Sequence, residues 1–130
     1  MKKRVFKLTN SEELDLVRAE VIKACRRCNL DSLNEVRVVT AVMEVAYNTS
    51  HYAKKGKITV RELKRGIEIV IEDKGPGIEE VEKAMKECYS THNGPGLGLP
   101  VAKTLMDEFE ITSKLGVGTK IVMRKFQPLL

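Results

Sequence analysis

Two polar residues one helical turn apart are the first side chains in this sequence that could do chemistry. Glu44 and Asn48 are four residues apart in a strongly apolar segment, so a helix would project both from one face. Because an unpaired buried carboxylate is costly, such a glutamate requires a cation, a water molecule or a hydrogen-bonding partner. The alternative is an exposed helix edge with two unrelated polar residues, which the apolar neighbours disfavour.

Two glycine-rich segments later in the chain have the pattern of an anion-binding site. In the first, an apolar strand ends on Asp73, and in the second a loop leads into a helix whose first turn holds Pro100. Alternating glycines let backbone N–H groups approach an anion closely, and the following helix N-terminus adds partial positive charge. Two ordinary turns are the alternative, but the combination with the polar pair favours a nucleotide site with a flexible lid. The glycines alternate in both segments, as Gly75 and Gly77 and then as Gly94, Gly96 and Gly98.

The hydrophobic pattern predicts the strands and helices that would position these residues. Two capping boxes, Thr9 with Glu12 and Ser32 with Glu35, predict where the first two helices begin. The second helix is apolar almost all round, which predicts a central helix packed on more than one side. The predicted elements are a strand at 3–8, helices from the first capping box to about 29 and from 32 to about 52, a hairpin at 58–63 and 67–73, a short helix at 79–87, a last helix at 97–107 and a closing hairpin at 110–113 and 119–126.

One strand of the predicted hairpin carries its carboxylate on the core side. Ile67, Ile69 and Ile71 alternate on one face, and Asp73 shares their parity at the end of the strand. We therefore expect Asp73 to point towards the core side of the sheet, where a carboxylate accepts hydrogen bonds from a specific donor.

Length and composition narrow the class of protein. The 130 residues predict a single domain spanning 1–130, and 42% hydrophobic with 32% charged residues indicates a soluble globular chain. No apolar run reaches membrane-spanning length and the basic N-terminus is not followed by a signal peptide, so we expect a cytoplasmic protein without membrane association. The net charge is +5, but basic and acidic residues are interleaved and aromatics are scarce, which argues against nucleic acid as a partner. Cys25 and Cys28 have no second pair or histidine cluster nearby, so we expect core or near-surface thiols rather than a metal or redox site.

Taken together, these motifs resemble the GHKL ATPase superfamily, whose domains have the Bergerat fold. The resemblance covers essentially the whole chain. It implies an α+β fold, namely a two-layer α/β sandwich with a mixed, mostly antiparallel sheet covered on one face by helices. Four motifs carry it, in the order of the family's N, G1 and G2 boxes and a final Gly-Thr: Glu44-x-x-x-Asn48, Asp73-x-Gly75-x-Gly77, Gly94-x-Gly96-x-Gly98-Leu99 and Gly118-Thr119.

The resemblance also implies a role for each site residue, with ATP and Mg²⁺ held between the central helix and the lid. Glu44 would be the general base for an incoming hydroxyl group, and Asn48 would bind Mg²⁺. Asp73 would accept a hydrogen bond from the adenine amino group, with Thr119 nearby through water. The remaining residues would clear room for the base or hold the phosphates, namely Gly75, Gly77, Gly94, Gly96, Leu97, Gly98 and Leu99.

Within the superfamily, the sequence is similar to small serine/threonine kinases that regulate bacterial sigma-factor pathways, most finely over residues 40–56 and 98–109. This similarity implies Mg-ATP-dependent phosphorylation of a STAS-domain protein and partner switching, with activation of a PP2C-type phosphatase on release. The alternative is an ATP-binding anti-sigma factor that sequesters a sigma factor. A histidine kinase is disfavoured, because the first predicted helix carries no histidine. An exposed edge at the first strand would also permit a homodimer.

Overall fold

This computed structural model of the chain describes residues 3–8, 10–52, 55–78, 85 and 98–128. The predicted helix at 79–87, except for Met85, and the predicted lid glycines Gly94 and Gly96 lie outside the described residues. Within the described residues the elements follow in the order β1 (Lys3–Leu8), α1 (Ser11–Arg27), α2 (Ser32–Tyr52), β2 (Gly56–Leu63), β3 (Gly66–Asp73), α3 (Leu99–Leu105), β4 (Glu108–Lys114) and β5 (Gly118–Phe126).

The described strands form one antiparallel sheet in the order β1-β2-β3-β5-β4. The last strand, β5, lies between β3 and β4, so the closing hairpin joins the sheet through its second strand. This order pairs Asp73 with Thr119 and Ile71 with Ile121. The end of β3 and the start of β5 therefore meet at one end of the sheet.

The helices cover one face of this sheet, and the hydrophobic core lies between the two layers. Alternation along β3 buries Ile67, Ile69 and Ile71 to at most 1% exposure, in one cluster with Val17 and Val21 of α1. This arrangement confirms the predicted two-layer α/β sandwich. No helix in the part of the chain that the structure describes combines the length and apolar character needed to cross a bilayer.

A row of charged side chains runs across the outer face of the sheet. The Glu68 carboxylate lies 3.6 Å from the Arg61 guanidinium and 2.8 Å from that of Arg124. Arg124 also contacts Glu108 at 2.9 Å, and its hydrogen bonds to both carboxylates raise the pKa of its guanidinium. The row connects β2, β3, β5 and β4, and it supports the register that places β3 beside β5.

The residues that begin the first two helices differ by one position from those predicted. Asn10 rather than Thr9 caps α1, and its side chain accepts the Glu13 N–H at 3.0 Å. Asp31 rather than Ser32 caps α2 in the same way, accepting a backbone N–H at 2.8 Å. Because Asn and Asp cap helices as well as Ser and Thr do, a run of such residues does not by itself fix the first residue of a helix.

α2 is packed on more than one side, as predicted, because it contacts α1 and α3 as well as the sheet. The expectation that its apolar neighbours leave little exposed surface around Glu44 is wrong. Its sheet-facing side is buried, but its opposite side exposes Leu33, Val36 and Tyr47, each by more than half. Glu44 is also exposed on that opposite side. In a two-layer fold a helix has no third layer to pack against, so an apolar sequence alone does not establish burial.

The last described helix is shorter than predicted. It ends at Leu105, whose carbonyl accepts a hydrogen bond from Lys125 Nζ at 2.8 Å. The backbone of Met106 is extended, and the Asp107 N–H donates to the Arg124 carbonyl at 3.0 Å. The chain therefore enters the sheet earlier than predicted, and β4 begins before the predicted residue 110.

Candidate functional site

A cavity of about 180 Å³ opens between α2, the end of β3 and the start of β5. Its walls are mostly apolar, with a few polar side chains at fixed positions, which is the usual composition of a small-molecule site. Three elements that are distant in sequence contribute to it, because the strand order brings β5 beside β3. The lining consists of Val45, Asn48, Thr49, Asp73, Pro76, Gly77, Ile78, Leu99, Thr119 and Ile121.

Asp73 supplies the carboxylate of this cavity. It is the last residue of β3, it is half-buried, and its Oδ1 accepts the Gly75 N–H at 2.8 Å. Among the described residues this is the hydrogen bond that the side chain makes, so Oδ2 retains its capacity to accept a donor from a ligand. The turn from Asp73 to Gly75 therefore fixes the carboxylate while leaving it functional as an acceptor.

Gly77 follows in a left-handed conformation that an ordinary residue rarely adopts, with φ of 79°. A Cβ at this position would also collide with the carbonyl of Lys114 in the closing hairpin. The Gly116 N–H donates to the Pro76 carbonyl at 2.8 Å, which holds the same two segments together. This contact requires a glycine, and it places the segment after β3 against the cavity.

Glu44 lies beside the start of α3 rather than in the lining of the cavity. Gly98, the N-terminal cap residue of α3, has a left-handed backbone with φ of 86°. A Cβ on Gly98 would collide with Glu44 Oε2 and would lie 3.3 Å from Glu44 Cβ. As predicted, Pro100 follows in the first turn of the helix. The carboxylate and the N-terminus of α3 are therefore adjacent, and only a glycine permits this approach.

The amide of Asn48 faces the cavity from the same helix, one turn after Glu44. Asn48 is half-buried, and the next residue, Thr49, is 7% exposed and also lines the cavity. Sequence reasoning did not identify Thr49, although its position directly after Asn48 places it on the adjoining part of the helix surface. α2 thus presents a carboxylate, an amide and a hydroxyl group around one edge of the site.

Thr119 is held by a hydroxyl group that sequence reasoning also missed. Ser113 Oγ on β4 lies 2.8 Å from Thr119 Oγ1, and it accepts the Ile78 N–H at 2.7 Å. Pairing of Ser113 with Thr119 follows from the hairpin register, which the sequence did not specify to the residue. Ser113 therefore links β4, β5 and the segment after Gly77 on one side of the cavity.

A second, more open groove of about 490 Å³ lies on the other side of Asp73. Glu72 in this groove pairs with Lys57 at 3.8 Å. Four lysines against two carboxylates make this edge electropositive, which favours an anionic ligand or an acidic partner surface nearby. The lining consists of Lys7, Lys55, Gly56, Lys57, Glu72, Asp73 and Lys74.

The structure thus brings most of the predicted site residues to one region. Asn48, Asp73, Gly77, Leu99 and Thr119 line the cavity. The other three described residues lie next to it: Gly75 donates to Asp73, and Glu44 adjoins Gly98. Gly94, Gly96 and Leu97 lie outside the described residues, and the chemical role of every site residue stays a prediction.

Cys25 and Cys28 take no part in this site, and Cys88 lies outside the described residues. Cys25 and Cys28 are buried in the core, as predicted, and neither forms a disulfide. Burial raises the pKa of the Cys25 thiol from 9.0 to about 12, with smaller contributions from Glu35 and Cys28. Burial also raises the pKa of the Cys28 thiol, and the nearby Glu62 adds to the shift. Thiols of this kind stay protonated and unreactive near neutral pH.

Comparison with known proteins identifies the family. Residues 8–125 match the family described as "Histidine kinase-like ATPase domain", which is most of the chain, so the chain belongs to this family of ATPase domains. The solved catalytic domain of histidine kinase ThkA, in a nucleotide-free form, matches over 98% of each chain with a TM-score of 0.58 at 17% identity. These findings confirm the predicted superfamily and its fold.

Relatives within the family are regulators of the predicted kind. Serine/threonine-protein kinase RsbT of Bacillus subtilis is 38% identical over 115 residues, which cover 84% of this chain and 86% of RsbT. Anti-sigma F factor of Thermoanaerobacter sp. is 36% identical over 118 residues, covering 83% of this chain and 82% of that protein. The anti-sigma F factor of Caldanaerobacter subterraneus is 37% identical over the same length and the same coverage. The predicted similarity to kinases of sigma-factor pathways agrees with these names.

Proposed function

We propose that the protein is a serine/threonine kinase that transfers the γ-phosphate of Mg-ATP to a STAS-domain protein and regulates a bacterial stress pathway by partner switching. The enzyme class agrees with the name of the Bacillus subtilis relative. The observation that carries the proposal is the geometry around α2. An acceptor carboxylate, an amide and a hydroxyl group line one cavity, and a second carboxylate lies beside it against a helix N-terminus.

The cavity suits the base of the nucleotide. Apolar side chains from α2, α3 and β5 can pack on the faces of a planar ring, while Asp73 accepts a hydrogen bond at its edge. A ligand that lacked an amino group at this edge would leave the carboxylate unpaired, which is expensive in a partly buried site. Asp73 is therefore the residue that would select adenine.

The side chain of Asn48 is suited to bind Mg²⁺. Its amide oxygen is a hard donor of the kind that Mg²⁺ prefers, and an Mg²⁺ ion held mainly by phosphates and water needs few protein ligands. Bound there, the ion would neutralise charge on the phosphates, which is the chemistry that phosphoryl transfer requires of it. We propose no further ligand from the described residues.

Glu44 would act on the incoming substrate. Its carboxylate removes the proton from a serine or threonine hydroxyl as the oxygen forms its bond to the γ-phosphorus. The bond between that phosphorus and the β–γ bridging oxygen breaks, and ADP leaves with the bonding electrons. The position of Glu44 against Gly98 places the base next to the N-terminus of α3, where partial positive charge favours a phosphate.

The surroundings of Glu44 support a protein as the phosphate acceptor. Its helix exposes Leu33, Val36 and Tyr47 at 58%, 59% and 61% respectively, at spacings that place all three on the side of α2 that carries Glu44. Large apolar residues grouped on one exposed helix side are typical of protein-binding surfaces. A small substrate would need only the cavity, whereas a protein domain would also cover this side of the helix.

A second candidate function is sequestration of a sigma factor. The observation that favours it is the similarity to two proteins named anti-sigma F factor. Under the first function, release from the STAS-domain partner would let the protein activate a PP2C-type phosphatase instead. Under both functions we expect a cytoplasmic protein. The outer edge of β1 pairs with no other strand of the described sheet and could pair with a second copy of the chain.

The proposal is tested by phosphoryl transfer measured on intact proteins. The full chain is incubated with Mg-ATP and each STAS-domain protein encoded beside it, and the mass of the partner is followed over time. We expect addition of a single phosphoryl group by the wild type and its loss in Glu44→Gln. The control is Glu110→Gln, an exposed carboxylate on β4, which should retain full transfer. Full activity in Glu44→Gln would refute the assigned base, and capture of a sigma factor without any transfer would favour the second function.

A further inference from the structure

The hydroxyl group of Ser113 makes three contacts at once. It accepts the Ile78 N–H at 2.7 Å, it lies 3.2 Å from the Gly118 carbonyl oxygen, and it lies 2.8 Å from Thr119 Oγ1. Ser113 is half-buried and is not part of the cavity lining, whereas Thr119 is. Ser113 therefore acts on the cavity through its neighbour.

The number of protons decides what Thr119 can offer to a ligand. A serine hydroxyl has one proton and two lone pairs. The Ile78 N–H occupies one lone pair, and the Gly118 carbonyl can only accept, so the proton of Ser113 satisfies that carbonyl. The remaining lone pair then accepts the proton of Thr119. This is the arrangement in which all three contacts are hydrogen bonds, and in it Thr119 presents only lone pairs to the cavity.

We propose that Ser113 is a positioning residue that keeps Thr119 a hydrogen-bond acceptor, so that the site selects a 6-aminopurine over a 6-oxopurine nucleotide. This inference rests on the proposed nucleotide site and adds a basis for its selectivity between bases. Asp73, which pairs with Thr119 across β3 and β5, is an acceptor too. Two acceptors at this end of the cavity match the amino group of adenine, and they oppose the carbonyl oxygen of hypoxanthine.

Removal of the Ser113 hydroxyl should therefore change the base selectivity of the site. In Ser113→Ala the Thr119 proton loses its acceptor and can turn towards the cavity, where it can donate to a carbonyl oxygen at position 6. We expect the preference for ATP over inosine triphosphate to fall by about tenfold, since one mismatched polar contact is exchanged for a matched one.

The experiment titrates the full-length protein with Mg-ATP and with Mg-ITP by calorimetry. The matched control is Thr112→Ala, which removes a hydroxyl group one residue away. Thr112 is exposed, and its hydroxyl group contacts the Lys120 carbonyl at 3.5 Å as its one hydrogen bond within the described residues. Thr119→Val provides a second route that leaves Ser113 intact. It should reduce the preference for ATP as well, and Ser113→Ala should have no additional effect on selectivity in the Thr119→Val background.

The outcomes separate this inference from the function on which it rests. Loss of selectivity in Ser113→Ala but not in Thr112→Ala supports the inference. If Ser113→Ala weakened ATP and ITP binding equally, or left both affinities as in the wild type, the ratio of the two affinities would be unchanged. That result would overturn the inference about Ser113 while leaving the kinase proposal intact. Failure of the wild-type protein to bind either nucleotide would overturn both.

Discussion

Replacement of Gly98 by alanine should separate the position of Glu44 from the stability of the fold. Gly98 has φ of 86°, and its substituent would meet Glu44 Oε2 and approach Glu44 Cβ to 3.3 Å. Gly116 is a matched control, because its φ is 80° and a Cβ there would meet nothing within 4 Å. Both substitutions impose the same unfavourable backbone on alanine, and only Gly98→Ala also displaces the proposed base.

The loss of stability caused by the strained backbone can be estimated from the φ angles of the two glycines. A left-handed alanine costs roughly 1–2 kcal/mol, so both variants should lose about that much free energy of unfolding. For a chain of this size each kcal/mol lowers the melting temperature by roughly 3–6 °C. The carboxylate of Glu44 can rotate away from the new methyl group at small cost, so Gly98→Ala should be only slightly less stable than Gly116→Ala.

The activity of the two variants should differ far more than their stability. Misplacement of a catalytic group by about 1 Å can cost on the order of 100-fold in rate, so we expect Gly98→Ala to lose roughly 10- to 100-fold in phosphoryl transfer. Gly116→Ala should transfer phosphate at nearly the wild-type rate. Thermal unfolding and intact-mass transfer assays on the same preparations check both expectations. Equal transfer by the two variants would refute the idea that Glu44 must occupy the position beside Gly98.

Two further predictions concern the scaffold. Arg124→Met should cost about 1–2 kcal/mol of unfolding free energy, because it leaves the nearly buried Glu68 carboxylate with a contact to Arg61 at 3.6 Å. Lys57→Met removes an ion pair whose side chains are 56% and 36% exposed, so it should cost less than about 1 kcal/mol in urea unfolding. Equal losses in the two variants would contradict this expectation. The raised pKa of Cys25 predicts that stability is fully present below pH 9.0 and is lost as pH rises towards about 12, because the unfolded thiol ionises first. Cys25→Ala should show a shallower loss over that range, and an unchanged slope would indicate that the thiol ionises equally in both states.

The sheet was predictable from the sequence because its strands obey a simple alternation. Ile67, Ile69 and Ile71 predicted one buried face of β3, and all three are buried. The same parity placed Asp73 on the cavity side. The sequence pattern did not specify the strand order, since β5 pairs with β3 although more than 40 residues separate the two strands. The meeting of Asp73 with Thr119 was therefore implied only through the family resemblance.

The helices were predicted less well, for reasons specific to each. Runs of capping residues made the starts of α1 and α2 ambiguous by one position, with Asn10 and Asp31 as the observed caps. The apolar content of α2 correctly predicted packing on more than one side, but it did not show that the side carrying Glu44 is exposed, because a two-layer fold leaves one side of the helix open. The end of α3 at Leu105 depends on a hydrogen bond from Lys125 in the last strand to the Leu105 carbonyl. No local pattern in the helix predicts this contact.

Part of the site could be predicted from the sequence, because some of its glycines occupy backbone conformations that other residues rarely adopt. Gly77 and Gly98 are left-handed where other chain segments approach closely, so their spacing carried information. Thr49 and Ser113 were not predicted as site residues, because each reaches the site through contacts that form only in the folded chain. A serine or threonine in a helix or strand has many ordinary roles, and only the distances to Thr119 and to the cavity give these two significance.

The proposed function requires that an adenine nucleotide binds between α2 and the paired ends of β3 and β5. It is tested most directly by calorimetric titration of the full-length protein with ATP in the presence and absence of magnesium. We expect saturable, magnesium-dependent binding that weakens at least about tenfold in Asp73→Asn, which can no longer offer a charged acceptor, and that is unchanged in the exposed control Asp15→Asn. Absence of ATP binding to the wild type, or equal affinity in Asp73→Asn, would contradict it.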